Sequence, residues 1–177
     1  MTDLFLDNMG KNKDYQKKNH NKIIRAVEEF TGDKVKEWKN IEDNHPTHQI
    51  LDKCSGVDIL AVCVKRPYFI SCRVQPDVSH NTFTIRVKTG HGSNNTEILK
   101  LHEDINKADI FIHCYKDQIL IAKKEHISEA LRQGKGYDQI NTQDGAVFRV
   151  LSIRDIGSLN VHQKIFNYQS IISFGVL

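Results

Sequence analysis

The sequence predicts an α/β (α+β) domain with a mixed central sheet, on three observations. Apolar positions at Ile23, Ile24, Val27 and Phe30 recur at helical spacing. Apolar runs at 57–64, 68–75 and 82–88 follow closely on one another, split by short turn signals. A second helical segment then precedes two more such runs, at 108–115 and 118–122. Strands joined through an intervening helix imply a right-handed crossover, and hence a sheet of mixed direction.

Each element has its own justification. The first helix is expected over 17–30 and is stopped by Gly32, while residues 1–16 read as a basic, partly flexible arm. Residues 33–49 are polar and mixed, and Pro46 excludes a long element there, leaving room for a short strand at 35–38. The run 57–64 is apolar apart from Asp58, as in a strand covered on both faces. Lys65-Arg66-Pro67 turns the chain into 68–75, which Pro76-Asp77 closes. In 82–88, Phe83, Ile85 and Val87 alternate with Thr82, Thr84, Arg86 and Lys88, giving an apolar face and a hydroxyl and basic face. The stretch TGHGSNN breaks the chain, with Asn94 or Asn95 as N-cap of a helix over 96–106. Strands at 108–115 and 118–122 flank the turn Lys116-Asp117. A short amphipathic helix follows at 124–133, and glycines at 134, 136 and 145 lead to a last strand at 146–152. This defines a domain over 17–152, its core at 17–115, with C-terminal strand and helix additions. Residues 153–177 carry apolar residues without a clear period and read as an extension.

Composition narrows the class. At 177 residues the chain suits one core. No stretch approaches the ~18 consecutive apolar residues of a membrane span, and the opening MTDLFLDNMGKNK has acids where a secretion signal needs basic residues. The expectation is a cytoplasmic protein with no membrane partner. Four cysteines contain no C-x-x-C pair and lie mostly in apolar runs, so they read as core residues of a reducing compartment. The net charge of +3 is unevenly spread: residues 11–25 hold six cations against one carboxylate, and 54–100 hold six against three. Such clusters suit either a solvated face or a polyanion, and nucleic acid is the expected partner, bound by a monomer or a homodimer.

The informative residue is Asp58, second in an apolar strand, because a buried carboxylate requires a partner. On the neighbouring strand Ser71, Arg73 and Gln75 share one face, and Arg86 and Lys88 extend that polar set on the next. Glu97 opens the following helix, where an acid suits the helix dipole. Carboxylates beside basic groups at a sheet end suit Mg²⁺-assisted phosphodiester chemistry, in which the cation takes carboxylate oxygens and activates water. His48 could act as a proton shuttle, and Trp38 and Tyr68 could stack on bases, with surface or packing roles as the plainer reading.

The strings Gly56-Val57-Asp58-Ile59, Phe69-Ile70-Ser71-Cys72-Arg73-Val74-Gln75, Thr82-Phe83-Thr84-Ile85-Arg86 and Thr96-Glu97 resemble PD-(D/E)XK nuclease-like proteins, the small type of phages and mobile elements. The resemblance covers about two-thirds of the chain and implies an αβββαβ, restriction-endonuclease-like core. It implies Asp58 as a metal ligand. The family's next strand carries Glu-x-Lys, whereas this one offers Ser71-Cys72-Arg73 or Cys72-Arg73-Val74-Gln75. The second carboxylate is therefore absent from that strand, and Glu97 is the candidate to replace it. A first-helix Glu, here Glu28 or Glu29, also contributes in some members. The implied site has Asp58 and Glu97 on Mg²⁺, Arg73 and Gln75 orienting water or phosphate, and Lys65, Arg66, Arg86 and Lys88 on the nucleic-acid backbone. The expected function is a metal-dependent nuclease or nuclease-derived protein; the alternative is an inactive nuclease-fold protein that binds nucleic acid or a protein partner.

Overall fold

The first helix, α1 (Thr2–Thr31), reaches further upstream than its apolar spacing. Its packed half buries Ile23, Ala26 and Val27, and helix nucleated there extends at little cost into residues 2–16, which contain no proline. The computed structural model describes residues 2–41, 55–89 and 96–166. Pro46, His48, Cys54 and the expected caps Asn94 and Asn95 lie outside them. The described cap is Thr96, in extended conformation and without a side-chain capping bond.

After α1 come β1 (Val35–Asn40), β2 (Ile59–Cys63) and β3 (Pro67–Gln75), which pair antiparallel in that order. The strand β4 (Thr82–Lys88) forms where its alternation predicts. It is not, however, the third member of the meander. The helix α2 (Glu97–His102) instead leads to β5 (Ile110–Tyr115), and β5 lies parallel against β3. The α-β-β-β-α-β succession is thus made by α1, β1, β2, β3, α2 and β5, with β4 set aside in a second sheet.

The reason is burial. The slot beside β3 is covered on both faces, and all six residues of β5 are buried there. Had β4 taken that slot, its alternation would have driven Arg86 and Lys88 into an apolar layer at high cost. In the second sheet both remain exposed while Phe83 and Ile85 are fully buried.

The chain continues through β6 (Gln118–Lys123), α3 (Lys124–Arg132), β7 (Tyr137–Ile140), β8 (Val147–Ser152), α4 (Ile153–Ile156) and β9 (Val161–Ile165). The main sheet has six strands, ordered β1-β2-β3-β5-β6-β9, and the second has three, ordered β4-β8-β7. Residues read as an aperiodic extension therefore supply an edge strand of the main sheet, β9, and the short exposed β7 also carried no sequence signal.

Two apolar layers hold the sheets. On one face α1 covers Ile59, Ala61, Ile70, Ile112 and Ile121. On the other, Phe111, Tyr115 and Leu120 meet Phe83, Ile85 and Leu151 of the second sheet and Ile127 of α3. Cys63 and Cys114 are buried and Cys72 is half-buried, none in a disulfide. Among the described residues no helix is long and apolar enough to cross a membrane.

Candidate functional site

Asp58 stands immediately before β2, and its backbone is bonded on both sides. Its N–H donates to the Ile70 carbonyl at 2.9 Å, and its own carbonyl accepts from Ile41 at 2.8 Å. Because β2 begins only at Ile59, the next β3 amide on that edge, Cys72 N–H, lies beyond its ladder. The Asp58 carboxylate supplies the acceptor instead, taking Cys72 N–H at 2.5 Å, with the Ser71 hydroxyl at 3.4 Å. This side chain extends the ladder by one rung.

One residue further on, Arg73 leaves β3 on the face toward the second sheet. Its guanidinium donates twice to Glu97, at 2.9 and 3.0 Å, and once to the Thr84 hydroxyl at 2.9 Å. Glu97 Oε2 also accepts the Arg86 backbone N–H at 2.7 Å. Among the described strands β4 pairs with β8 alone, and on its other edge Glu97 caps the Arg86 amide. The Arg73 guanidinium lies over the Phe148 ring at 5.0 Å, and that of Arg86 over the same ring at 5.6 Å. Arg73 and Glu97 are only 18% and 27% exposed, so the pair is more than a surface ion pair.

Gln75, two residues on, has its Oε1 buried with no hydrogen-bond partner among the described residues. Arg86 and Lys88 are exposed on β4. Lys65 and Arg66 lie elsewhere, at the turn joining β2 to β3. Lys65 Nζ donates to the Gly32 carbonyl at 3.0 Å, and Arg66 pairs with Asp109 at 3.0 Å. From Arg66 to Arg73 the strand spans roughly 20 Å. The structure therefore brings Arg73, Glu97 and Arg86 together, with Asp58 bonded to the amide of Cys72, the residue before Arg73, and parts them from Lys65 and Arg66.

The first-helix carboxylates are engaged at other points. Glu28 accepts from Lys34 Nζ and the Val35 amide, and Glu29 from Lys164. Lys34 and Lys164 hold these two carboxyls below the usual range. Both Glu97 oxygens carry N–H donors, and among the described residues no three His, Cys, Asp or Glu side chains gather to hold a metal. Trp38 and Tyr68 are half-buried against the α1 layer, as packing predicts.

Three contributors escaped the sequence reading. Phe148 had no local signal, and Thr84 was read only as part of the hydroxyl face of 82–88, because their roles depend on the second sheet meeting β3. His113 did have one, as a polar residue inside the apolar run 110–115. It pairs in register with Arg73, packs on Phe83 at 4.8 Å between ring centres and leaves Nδ1 without a hydrogen-bond partner among the described residues. Burial, and then the Arg73 charge, hold its imidazole well below the usual 6.5. The folded chain keeps His113 neutral where the unfolded chain protonates it. Stability present above pH ~6.5 is therefore lost as pH falls below it, until the lower folded value is reached. Between pH 7.5 and 5.0 stability should therefore fall as the pH is lowered. Urea unfolding of wild type and His113→Leu at both pH values should show this drop shrinking in the variant. An equal drop in both would remove His113 as its source.

Comparison with known proteins found no matching family model, and neither the curated proteins nor the solved structures gave a match.

Proposed function

We propose that this chain is a nuclease-derived nucleic-acid-binding protein, in which the candidate metal carboxylates serve structure. The observation that carries this reading is Glu97, whose two oxygens hold Arg73 and the Arg86 amide. A carboxylate so engaged stabilises the sheet contact and orients Arg86, while Asp58 completes the β3 ladder. Arg86 and Lys88 are both exposed on β4, on either side of a break in its register with β8, and contact phosphates. The α-β-β-β-α-β succession, with Asp58 heading its second strand, supports descent from a nuclease-like ancestor.

A second reading keeps metal-dependent cleavage. Asp58 favours it, being a carboxylate at the head of a strand beside the polar face of β3. It needs Glu97 to give up Arg73.

The two readings separate in one set of measurements. Wild-type protein should bind mixed-sequence DNA or RNA with an affinity that falls steeply with salt. Arg86→Ala/Lys88→Ala should weaken binding across sequences and lower the log–log salt slope by about 2, one per lost phosphate contact. Incubation with Mg²⁺ should leave the nucleic acid intact. Mg²⁺-dependent cleavage lost in Asp58→Ala would establish the second reading and overturn the first.

A further inference from the structure

A second concentration of cations lies at the opposite end of β3. There the end of α1, the β2–β3 turn, the start of β5 and the β6–α3 junction surround a cleft of about 500 Å³. Arg66, Lys107, Lys123 and Lys124 line it against two carboxylates, Asp109 and Glu125, leaving an excess of positive charge. The volume is in the range of small-molecule sites.

These cations are held in place with donors to spare. Arg66 lies on the Tyr68 ring, its guanidinium carbon 4.1 Å from the ring centre, and Asp109 fixes its edge at 3.0 Å. Asp109 is in turn anchored by the Phe69 amide at 2.8 Å. The Arg66 side chain is still 55% exposed, so a fixed planar cation faces solvent at one wall. Lys107 Nζ donates to the Asp104 carbonyl at 3.0 Å, and Lys123 pairs with Glu125 at 3.5 Å. Each ammonium has three donors, and these bonds use one apiece. Lys124 is bound more fully, to the Asp104 carboxylate and the Asn106 carbonyl.

A planar guanidinium fixed by stacking is a platform for a base, and ammonium groups nearby suit a phosphate. We propose that this cleft binds a nucleotide, with its base on Arg66 and its phosphate between Lys107 and Lys123. The proposal is independent of the reading of Arg86 and Lys88, which lie on another sheet. It predicts that both halves of the ligand are needed.

The test uses the full chain and calorimetry with three probes: a nucleoside 5′-monophosphate, its parent nucleoside and inorganic phosphate. The monophosphate should bind saturably, and each fragment should bind at least about tenfold more weakly. Arg66→Ala and Lys123→Ala change exposed side chains and should each weaken the monophosphate by about tenfold. Lys36→Ala, an exposed cation on β1, should leave it unchanged. Absence of saturable monophosphate binding overturns the proposal, as does binding indifferent to Arg66 and Lys123. Inorganic phosphate binding as tightly as the nucleotide would overturn the base platform.

Discussion

Glu97→Ala is expected to lower the unfolding free energy by about 2–4 kcal/mol, the largest effect of any single side-chain truncation around β3. The change removes three charge-assisted hydrogen bonds at once. It leaves the Arg73 guanidinium, 18% exposed, with only Thr84 and the Phe148 ring, and leaves an edge-strand amide at Arg86 without its acceptor. Glu97→Gln keeps an acceptor for that amide but not the charge, so it should lose about half as much. A double-mutant cycle with Arg73→Ala, read by urea unfolding, should give a coupling of about 1–3 kcal/mol. A coupling near zero would reduce the pair to a surface contact. The same variant also bears on function. If the chain binds nucleic acid without cleaving it, Glu97→Ala frees a guanidinium beside Arg86, and affinity at low salt should hold or rise. If Glu97 serves a metal, cleavage should vanish.

Gly56→Ala should cost about 3 kcal/mol, for two reasons that add. Gly56 has φ +64°, where a side chain costs about 1–2 kcal/mol. An added Cβ would also stand 2.7 Å from Asn106 Nδ2. Asn106 cannot easily retreat: it is fully buried, and its Oδ1 accepts the Ala108 amide at 2.9 Å. Gly134 has a similar φ of +68° but nothing within 4 Å of an added Cβ, so Gly134→Ala isolates the backbone term at about 1–2 kcal/mol. For a chain of this size the Gly56 variant should melt about 6–12 °C lower. Equal losses in the two variants would show that the Asn106 contact contributes nothing. Because Gly56 lies two residues before Asp58, a displaced backbone there should also disturb the Asp58–Cys72 bond.

The sequence showed the elements better than their neighbours. Thr82–Lys88 was legible to the residue because its two faces differ so sharply in polarity. The same alternation, read as a continuing meander, hid its partner. Polarity along a strand says which face is buried but not which sheet the strand joins. The helical crossover was visible from the order of apolar runs, as was the need of Asp58 for a partner. That a partner is a backbone amide on β3 was not visible, because it depends on where β2 begins.

The basic clusters follow the same division. Composition places Lys65, Arg66, Arg86 and Lys88 within one short stretch, which reads as one surface. The hairpin reverses the chain at Lys65 and Arg66, and the second sheet carries Arg86 and Lys88 away, so the fold makes two. His113 marks the limit on the other side. A polar residue in an all-apolar strand is conspicuous in sequence, but its opposition to Arg73 comes only from the parallel register of β3 and β5.

By itself, then, the sequence determined an α/β chain with a packed first helix, a close-set group of strands, a helical crossover and charged residues in strand positions that demand partners. These are properties of local periodicity and of the cost of burying charge. The tertiary structure alone decided which partners those residues found. It set β5 beside β3, brought Glu97 onto Arg73 and separated the two cationic surfaces. Such pairings form between residues distant in the chain, where burial of whole faces, and not local preference, selects the arrangement.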